Sequence, residues 1–404
     1  MEFGPVFRAM LSAKAGYILI ALQIAVTMTI MVNAVAIMQE QNDAIARDSG
    51  MDEANTFALS SASFEPDADM RSLVEEDLDL IRNLPGVRAA VASNSYPLRQ
   101  GGWSESVQTE PGANSTESVG SAIYFADEHG VDAFGATIID GKNFAPNQVS
   151  FKDPESNTWP AYAVITEALA KELFPDESGS VVGKTLYLGD DDPVNIVGVI
   201  DRLQAPWQSW TGVERSMLIP QRRLGTNQTY IVRTEPGYRD SLMPQVEEML
   251  SASNKGRIIR SVKTMDQVRK LAYLDESALV KMLSFIVVLL VIITGLGIIG
   301  LASFNVSRRT RQIGIRRALG ATRFAIMRYF MVENFIVSSL GIGVGAILAV
   351  LLNIALVNAF SLQPLSWYVI PIAMLTLWLV GQIAVAGPAR RASRITPAIA
   401  TRSS

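Results

Sequence analysis

The chain has 404 residues, 49% of them hydrophobic, with 35 Lys and Arg against 39 Asp and Glu, one histidine and no cysteine. It has no thiol for disulfide or cysteine chemistry and too few histidines for a clustered-histidine metal site. Its apolarity, gathered in four runs, also sets it apart from an ordinary soluble enzyme.

The four runs lie at about 16–38, 282–304, 329–357 and 367–386. Each approaches or exceeds the ~20 residues that cross a hydrocarbon core of about 30 Å. Residues 39–276 hold 37 acidic and 21 basic residues, a net charge of −16, whereas the flanks carry +12. Short basic segments stay inside and a long acidic one is free to translocate. The predicted fold is therefore a membrane α-helical chain of four transmembrane helices, with a large α+β extracytoplasmic domain inserted between helices 1 and 2. Both termini are expected in the cytoplasm.

Along the chain, residues 1–15 read as a cytoplasmic amphipathic helix, with Phe3, Val6, Phe7, Met10 and Leu11 at helical spacing. The first span, 16–38, contains an Ala34-Val35-Ala36 that resembles a signal-peptidase site. The run is longer than a signal peptide's apolar core, so an uncleaved anchor is expected.

In the 39–276 domain, Thr56–Ala62 reads as a strand. A helix follows with Leu73, Leu78 and Ile81 on one side, ended by Pro85-Gly86, and then a strand over Val87–Tyr96. The order recurs with strand Thr229–Thr234, helix "YRDSLMPQVEEMLSAS" and strand Arg257–Val262. Two such units predict helices on one face of a sheet. They imply a subdomain, expected at about 143–223, inserted into an outer layer of 39–142 and 224–276. Inside the insert, "AYAVITEALAKELF" reads as a strand running into a helix. "VGKTLYLGDDDPVNIVGVI" reads as a hairpin turning on Gly189-Asp190-Asp191.

Gly179, Gly183, Lys184 and Thr185 carry the letters of a phosphate loop but are one residue short between the glycines. Lys184-Thr185 enters the strand-like "TLYL" instead of a helix N-terminus, where the dipole favours phosphate. A turn leading into a hairpin is expected, with no cofactor on this chain. His129 reads as an exposed turn residue, and the acids of "VEEDLDL" as the solvated face of a helix. No catalytic or metal-binding constellation emerges, and nothing points to nucleic acid.

The second span, 277–304, runs into a basic segment, 305–328: "NVSRRTRQIGIRRALGATRFAIMR". Arg308, Arg309 and Arg311 open it. Ile313, Ile315 and Leu319 are expected to form an apolar side, with Arg316 and Arg317 in water. Gly320 supplies the stop and Thr322 the cap of the helix that becomes the third span. Such a connector suits the groove of a cytoplasmic partner. Equally, its arginines could serve topology and lipid headgroups alone. Glu333, the one acid near the bilayer, is expected to face these arginines or headgroup water. The glycines of the spans are expected to pack helices within one subunit.

"RQIGIRRALGAT", followed by a Gly-rich span, resembles the MacB/FtsX-like permeases of ABC transporters. "FGATIIDGKNF", "VITEALAKELF", "GKTLYLGDDDPVNIVGVI" and "MLIPQRRL" resemble stretches of the MacB-type periplasmic core, and "PARRASRITPAIATR" the closing segment. Residues 40–130 match in organisation only. The resemblance implies an ATPase-coupling element at Arg308, Arg309, Arg311, Gln312, Ile313, Gly314, Ile315, Arg316, Arg317, Leu319 and Gly320. It implies a separate ABC ATPase subunit that binds ATP and Mg, and a second permease copy or paralogue. It further implies a periplasmic adaptor, an outer-membrane duct, contact with membrane lipid and a bacterial inner-membrane location. The expected activity is efflux of a peptide, antibiotic or lipoprotein-like cargo. The alternatives are signalling to an extracytoplasmic hydrolase, as in FtsX-like relatives, and lipoprotein release. Gln312 departs from the family's usual Glu. An exposed pair is worth only ~0.2–1 kcal/mol, so docking is expected to survive the change.

Overall fold

The computed structural model describes residues 14–65, 69–112, 118–152, 158–189, 191–360 and 364–396. The expected amphipathic helix and the end of the basic tail lie outside the described residues. The chain divides into two compact units, residues 46–274 and a second formed by 1–45 with 275–404.

Four long helices make the second unit: α1 (Lys14–Ala46), α7 (Leu274–Arg308), α9 (Arg323–Phe360) and α10 (Val369–Ser393). All four are long and apolar enough to cross a membrane. Helix α1 runs unbroken through Ala34-Val35-Ala36. The core of this unit joins Ile24, Met28 and Val32 of α1 with Ile298, Val337, Ile342, Leu377 and Val385 of the other three.

Helices α1 and α9 meet through small residues. A Cβ added to Gly341 would lie 2.6 Å from the Ala21 carbonyl oxygen, and one on Gly345 would lie 2.7 Å from that of Ala25. No side chain larger than hydrogen fits there. The ladder continues upward: Thr29 Oγ1 donates to the Gly345 carbonyl at 3.2 Å, and Asn33 Nδ2 to that of Ala349 at 3.2 Å. Packing within the subunit, as expected, accounts for Gly341 and Gly345, while Gly343 and Gly300 face open space.

The other unit contains two sheets. The first takes β1 (Thr56–Ser63), β2 (Val87–Ser93), β11 (Asn227–Thr234) and β12 (Arg257–Thr264), in the order β12-β1-β11-β2. Helices α2 (Met70–Arg82) and α5 (Arg239–Ser253) cover one face through Val74, Leu78, Ile81, Leu242, Val246 and Leu250. These are the two strand–helix–strand units of the sequence, interlocked as a split β-α-β. Asp69 caps α2 by accepting from the Arg71 and Ser72 backbone N–H groups. One detail differs: Leu73 is only half-buried, and Val74 holds the core position.

The second sheet closes on itself. Its order is β4 (Val119–Ala126), β3 (Trp103–Gln108), β8 (Thr185–Leu188), β9 (Asp192–Ile200), β7 (Tyr162–Thr166), β10 (Ser216–Arg223), and β10 pairs back onto β4. Closure removes free edges, and Val107, Ile123, Ile165, Leu186, Ile196 and Ile219 fill the interior. The short strands β5 (Ile138–Gly141) and β6 (Ser150–Lys152) pair outside this ring, with β9 and β10. The closed sheet starts at Trp103, well before the insert limit of 143 read from the sequence. The reason is that "WSESVQ" offers one buried apolar residue, Val107, and β4 finds its partner β10 some ninety residues later.

The strand–helix and hairpin expectations hold. Thr166 ends β7 and caps α4 (Glu167–Leu173), and β8 and β9 pair antiparallel around Gly189 and Asp191, both at positive φ. Asp190 lies outside the described residues. Lys184 forms an ion pair with Glu177, and Thr185 opens strand β8. His129 is half-buried at the start of α3 (Gly130–Phe134).

Candidate functional site

The basic segment folds as the short helix α8 (Thr310–Ala318) between α7 and α9. Its end is a paired-bond glycine stop. The Ala321 N–H bonds the Arg316 carbonyl at 3.0 Å and the Gly320 N–H bonds that of Arg317 at 3.2 Å, with Gly320 at φ +93°. Thr322 Oγ1 then accepts from the Ala325 N–H at 3.1 Å and starts α9.

The predicted residues separate into two sets. Ile313 and Gly314 are buried, and Ile313 packs with Val306, Ile326, Tyr329, Phe330, Ala389 and Ala392. Ile315 is 51% exposed and Leu319 83%. The expected single apolar side is therefore two. Residues 313 and 315 stand about 200° apart on a helix, so one anchors and the other faces out. Arg308, Arg311, Gln312 and Arg316 are exposed, and Arg316 lies 5.1 Å over the Tyr329 ring. Arg317 is half-buried and donates to the Ala321 carbonyl at 3.2 Å, so it does not stand free in water. Gln312, Ile315, Arg316 and Leu319 share one outward stripe.

Arg309 turns inward. Its Nη1 is 3.0 Å from Glu333 Oε1, and its Nη2 donates to the Tyr17 hydroxyl at 3.2 Å. Tyr17 in turn donates to Glu333 and accepts from Asn305 Nδ2 at 3.2 Å. One hydroxyl thus uses its donor and both lone pairs. The cluster ties α1 (Tyr17), the end of α7 (Asn305), the N-cap of α8 (Arg309) and α9 (Glu333). Beside it is a cavity of about 30 Å³ lined by Tyr17, Asn305, Glu333 and Asn334, space for a water molecule. The expected meeting of Glu333 with the connector's arginines is present. Tyr17 and Asn305 gave no signal in the sequence, since their partners lie hundreds of residues away.

Family models fit this chain in two pieces: "MacB-like periplasmic core domain" over residues 18–249 and "FtsX-like permease C-terminal" over residues 284–397. The chain belongs to the MacB/FtsX-like family of ABC transporter permeases. Among curated relatives, the macrolide export ATP-binding/permease protein MacB of Shewanella sp. (strain ANA-3) is 28% identical over 327 residues, covering 77% of this chain and 48% of that protein. MacB of Pasteurella multocida (strain Pm70) is 27% identical over 349 residues, covering 83% and 50%. The chain spans about half the length of the curated relatives it matches. The solved periplasmic region of MacB from Actinobacillus actinomycetemcomitans aligns at 16% identity over 56% of this chain and 96% of that one, with a TM-score of 0.35. The extracellular domain of YknZ aligns at 16% identity over 50% and 100%, with a TM-score of 0.32. Neither score bears on the fold. As a MacB/FtsX-like permease, the molecule is a multi-pass membrane protein whose β-rich unit is its extracytoplasmic domain.

Proposed function

We propose that this permease converts the nucleotide cycle of a separate ABC ATPase subunit into motion of its extracytoplasmic domain, driving efflux of a peptide, antibiotic or lipoprotein-like cargo. Helix α8 is the docking element. The supporting observation is its division of labour: Ile313 holds it to the membrane unit while Ile315 and Leu319, flanked by Gln312 and Arg316, remain uncovered. An exposed apolar pair rimmed by polar residues suits a groove on a partner. The pull reaches α1 and α7, between which the domain is inserted in sequence. ATP and Mg sit on the partner. The working assembly is a dimer of permeases in a bacterial inner membrane with both termini cytoplasmic, served by an adaptor and an outer-membrane duct.

The test replaces Ile315 and Leu319 together with Asp. Association with the cognate ATPase is expected to weaken more than about tenfold, with membrane insertion and thermal unfolding unchanged. Unchanged association overturns the reading. Native co-purification decides the output: a periplasmic adaptor supports efflux, whereas a cell-wall hydrolase in its place replaces efflux by signalling.

A further inference from the structure

Two consecutive arginines close strand β10, and successive strand residues face opposite ways. Arg222 reaches Asp127 Oδ2 at 2.8 Å. Arg223 instead lines a cavity of about 290 Å³ in the extracytoplasmic unit, together with Arg99, Asn94, Thr226 and Gln228. Among the described residues, no acidic side chain lines this cavity. Arg82, Arg222, Arg233, Arg257 and Arg269 of the same unit all have carboxylate partners. Among the described residues, neither Arg99 nor Arg223 has one within ion-pair distance.

The wall that carries Arg99 is held in an unusual shape. Leu98 and Gln100, on either side of it, have φ of +68° and +66°, which residues other than glycine adopt only when their surroundings impose it. Leu98 is buried, the Gln100 N–H donates to the Pro206 carbonyl at 3.1 Å, and the Ser95 hydroxyl donates to the Gly101 carbonyl. Arg99 Nη1 donates to the Asn94 carbonyl at 2.6 Å, which fixes the guanidinium and leaves its other donors.

Two of the amides around the cavity, those of Asn94 and Gln228, are already engaged. Asn94 Oδ1 accepts from the Phe125 N–H at 2.8 Å and its Nδ2 donates to the Ile123 carbonyl at 2.9 Å. Gln228 Nε2 donates to the carbonyls of Arg223 and Gly225 at 3.1 and 2.8 Å. The charged groups left for an occupant are therefore two cationic forks, whose natural complement is an oxyanion.

We infer that this cavity binds a small ligand through an oxyanion, a carboxylate or a phosphate, on Arg99 and Arg223. Its volume lies at the small end of ligand sites, sufficient for a group about one amino-acid residue in size. This goes beyond the permease reading and stands independently of ATPase docking.

Isothermal titration calorimetry on the full chain in lipid nanodiscs, at constant ionic strength, tests it. N-acetylglycine, inorganic phosphate and neutral N-acetylglycinamide serve as probes. A saturable heat with an anion and not with the amide is expected. A stronger response to N-acetylglycine assigns a carboxylate, and a stronger response to phosphate assigns a phosphate. Arg99→Gln and Arg223→Gln should each weaken binding by about tenfold or more. If Arg99→Gln lowers the unfolding temperature, Arg223→Gln, at an exposed position, decides the matter. No saturation by about 50 mM, equal response to the amide, or unchanged affinity in Arg223→Gln overturns the assignment.

Discussion

Asp77 in the extracytoplasmic unit and Glu333 in the membrane unit are each held through one carboxylate oxygen by the same chemistry. Asp77 Oδ2 accepts from the Tyr230 hydroxyl at 2.6 Å and from Arg257 Nη1 at 2.5 Å. Glu333 Oε1 accepts from the Tyr17 hydroxyl and Arg309 Nη1. The settings differ. Asp77 joins α2 to β11 and β12 inside one packed layer, and both ion-pair partners are 1% exposed. Burial, with the adjacent Asp77 charge adding to it, pushes the Tyr230 pKa far up and keeps its hydroxyl a donor. Glu333 gathers four separate helices next to a water-sized cavity and a helix that stands partly in solvent. The same trio acts as a staple where every neighbour is fixed, and as a pivot where its partners belong to different helices.

The largest effect should fall on the staple. Asp77→Ala leaves Arg257 buried without its counter-charge and should cost about 3–5 kcal/mol of domain stability. Asp77→Leu combined with Arg257→Met should recover much of it, as read by denaturant unfolding. Equal losses in the single and double variants would show that packing, and not the charge pair, matters.

Breaking the pivot should act locally. Glu333→Gln removes a charge-assisted tie worth about 1.5–3 kcal/mol. Amide-exchange protection over residues 310–318 should fall roughly tenfold or more, with global unfolding little changed. Cooperative loss of the whole membrane unit would make it a second staple.

Gly345→Leu, whose Cβ would meet Met28 Cβ at 2.6 Å, should cost about 1–3 kcal/mol by overpacking. Gly343→Leu, facing open space, should be silent in the same thermal measurement. Matching losses would remove the α1–α9 contact as the pivot's rigid support.

The smallest effect is a slope against pH. Burial alone would raise the Asp127 pKa, but Arg82 and then Arg222 outweigh it and hold the carboxyl below its ordinary 3.8. A depressed folded value stabilises the domain above the ordinary carboxylate range, and that contribution disappears as pH falls through the folded value. The stability gap between wild type and Asp127→Asn should therefore be widest near neutrality and narrow below about pH 4. A gap independent of pH would refute the ion-pair account.

The sequence makes some of this legible and hides the rest for physical reasons. The spans are readable because length and hydropathy are local properties, and the end of α2 because Pro85-Gly86 marks it. Asp77 reads as solvated among its acidic neighbours, yet its spacing from Val74, Leu78 and Ile81 already places it on the buried side of α2. Strand β3 and the Tyr17–Glu333 contact are invisible, because what defines them is a partner far along the chain. In α8, taking Ile313 and Ile315 as one side ignores the 100° step of a helix.

The glycine–alanine seam between α1 and α9 has a mechanical corollary. Where main chain rests directly on main chain, no rotatable groups lie between the two rods to soak up a displacement. A nudge delivered at the Tyr17 end should reach Asn33 with little loss, the two rods sharing every step.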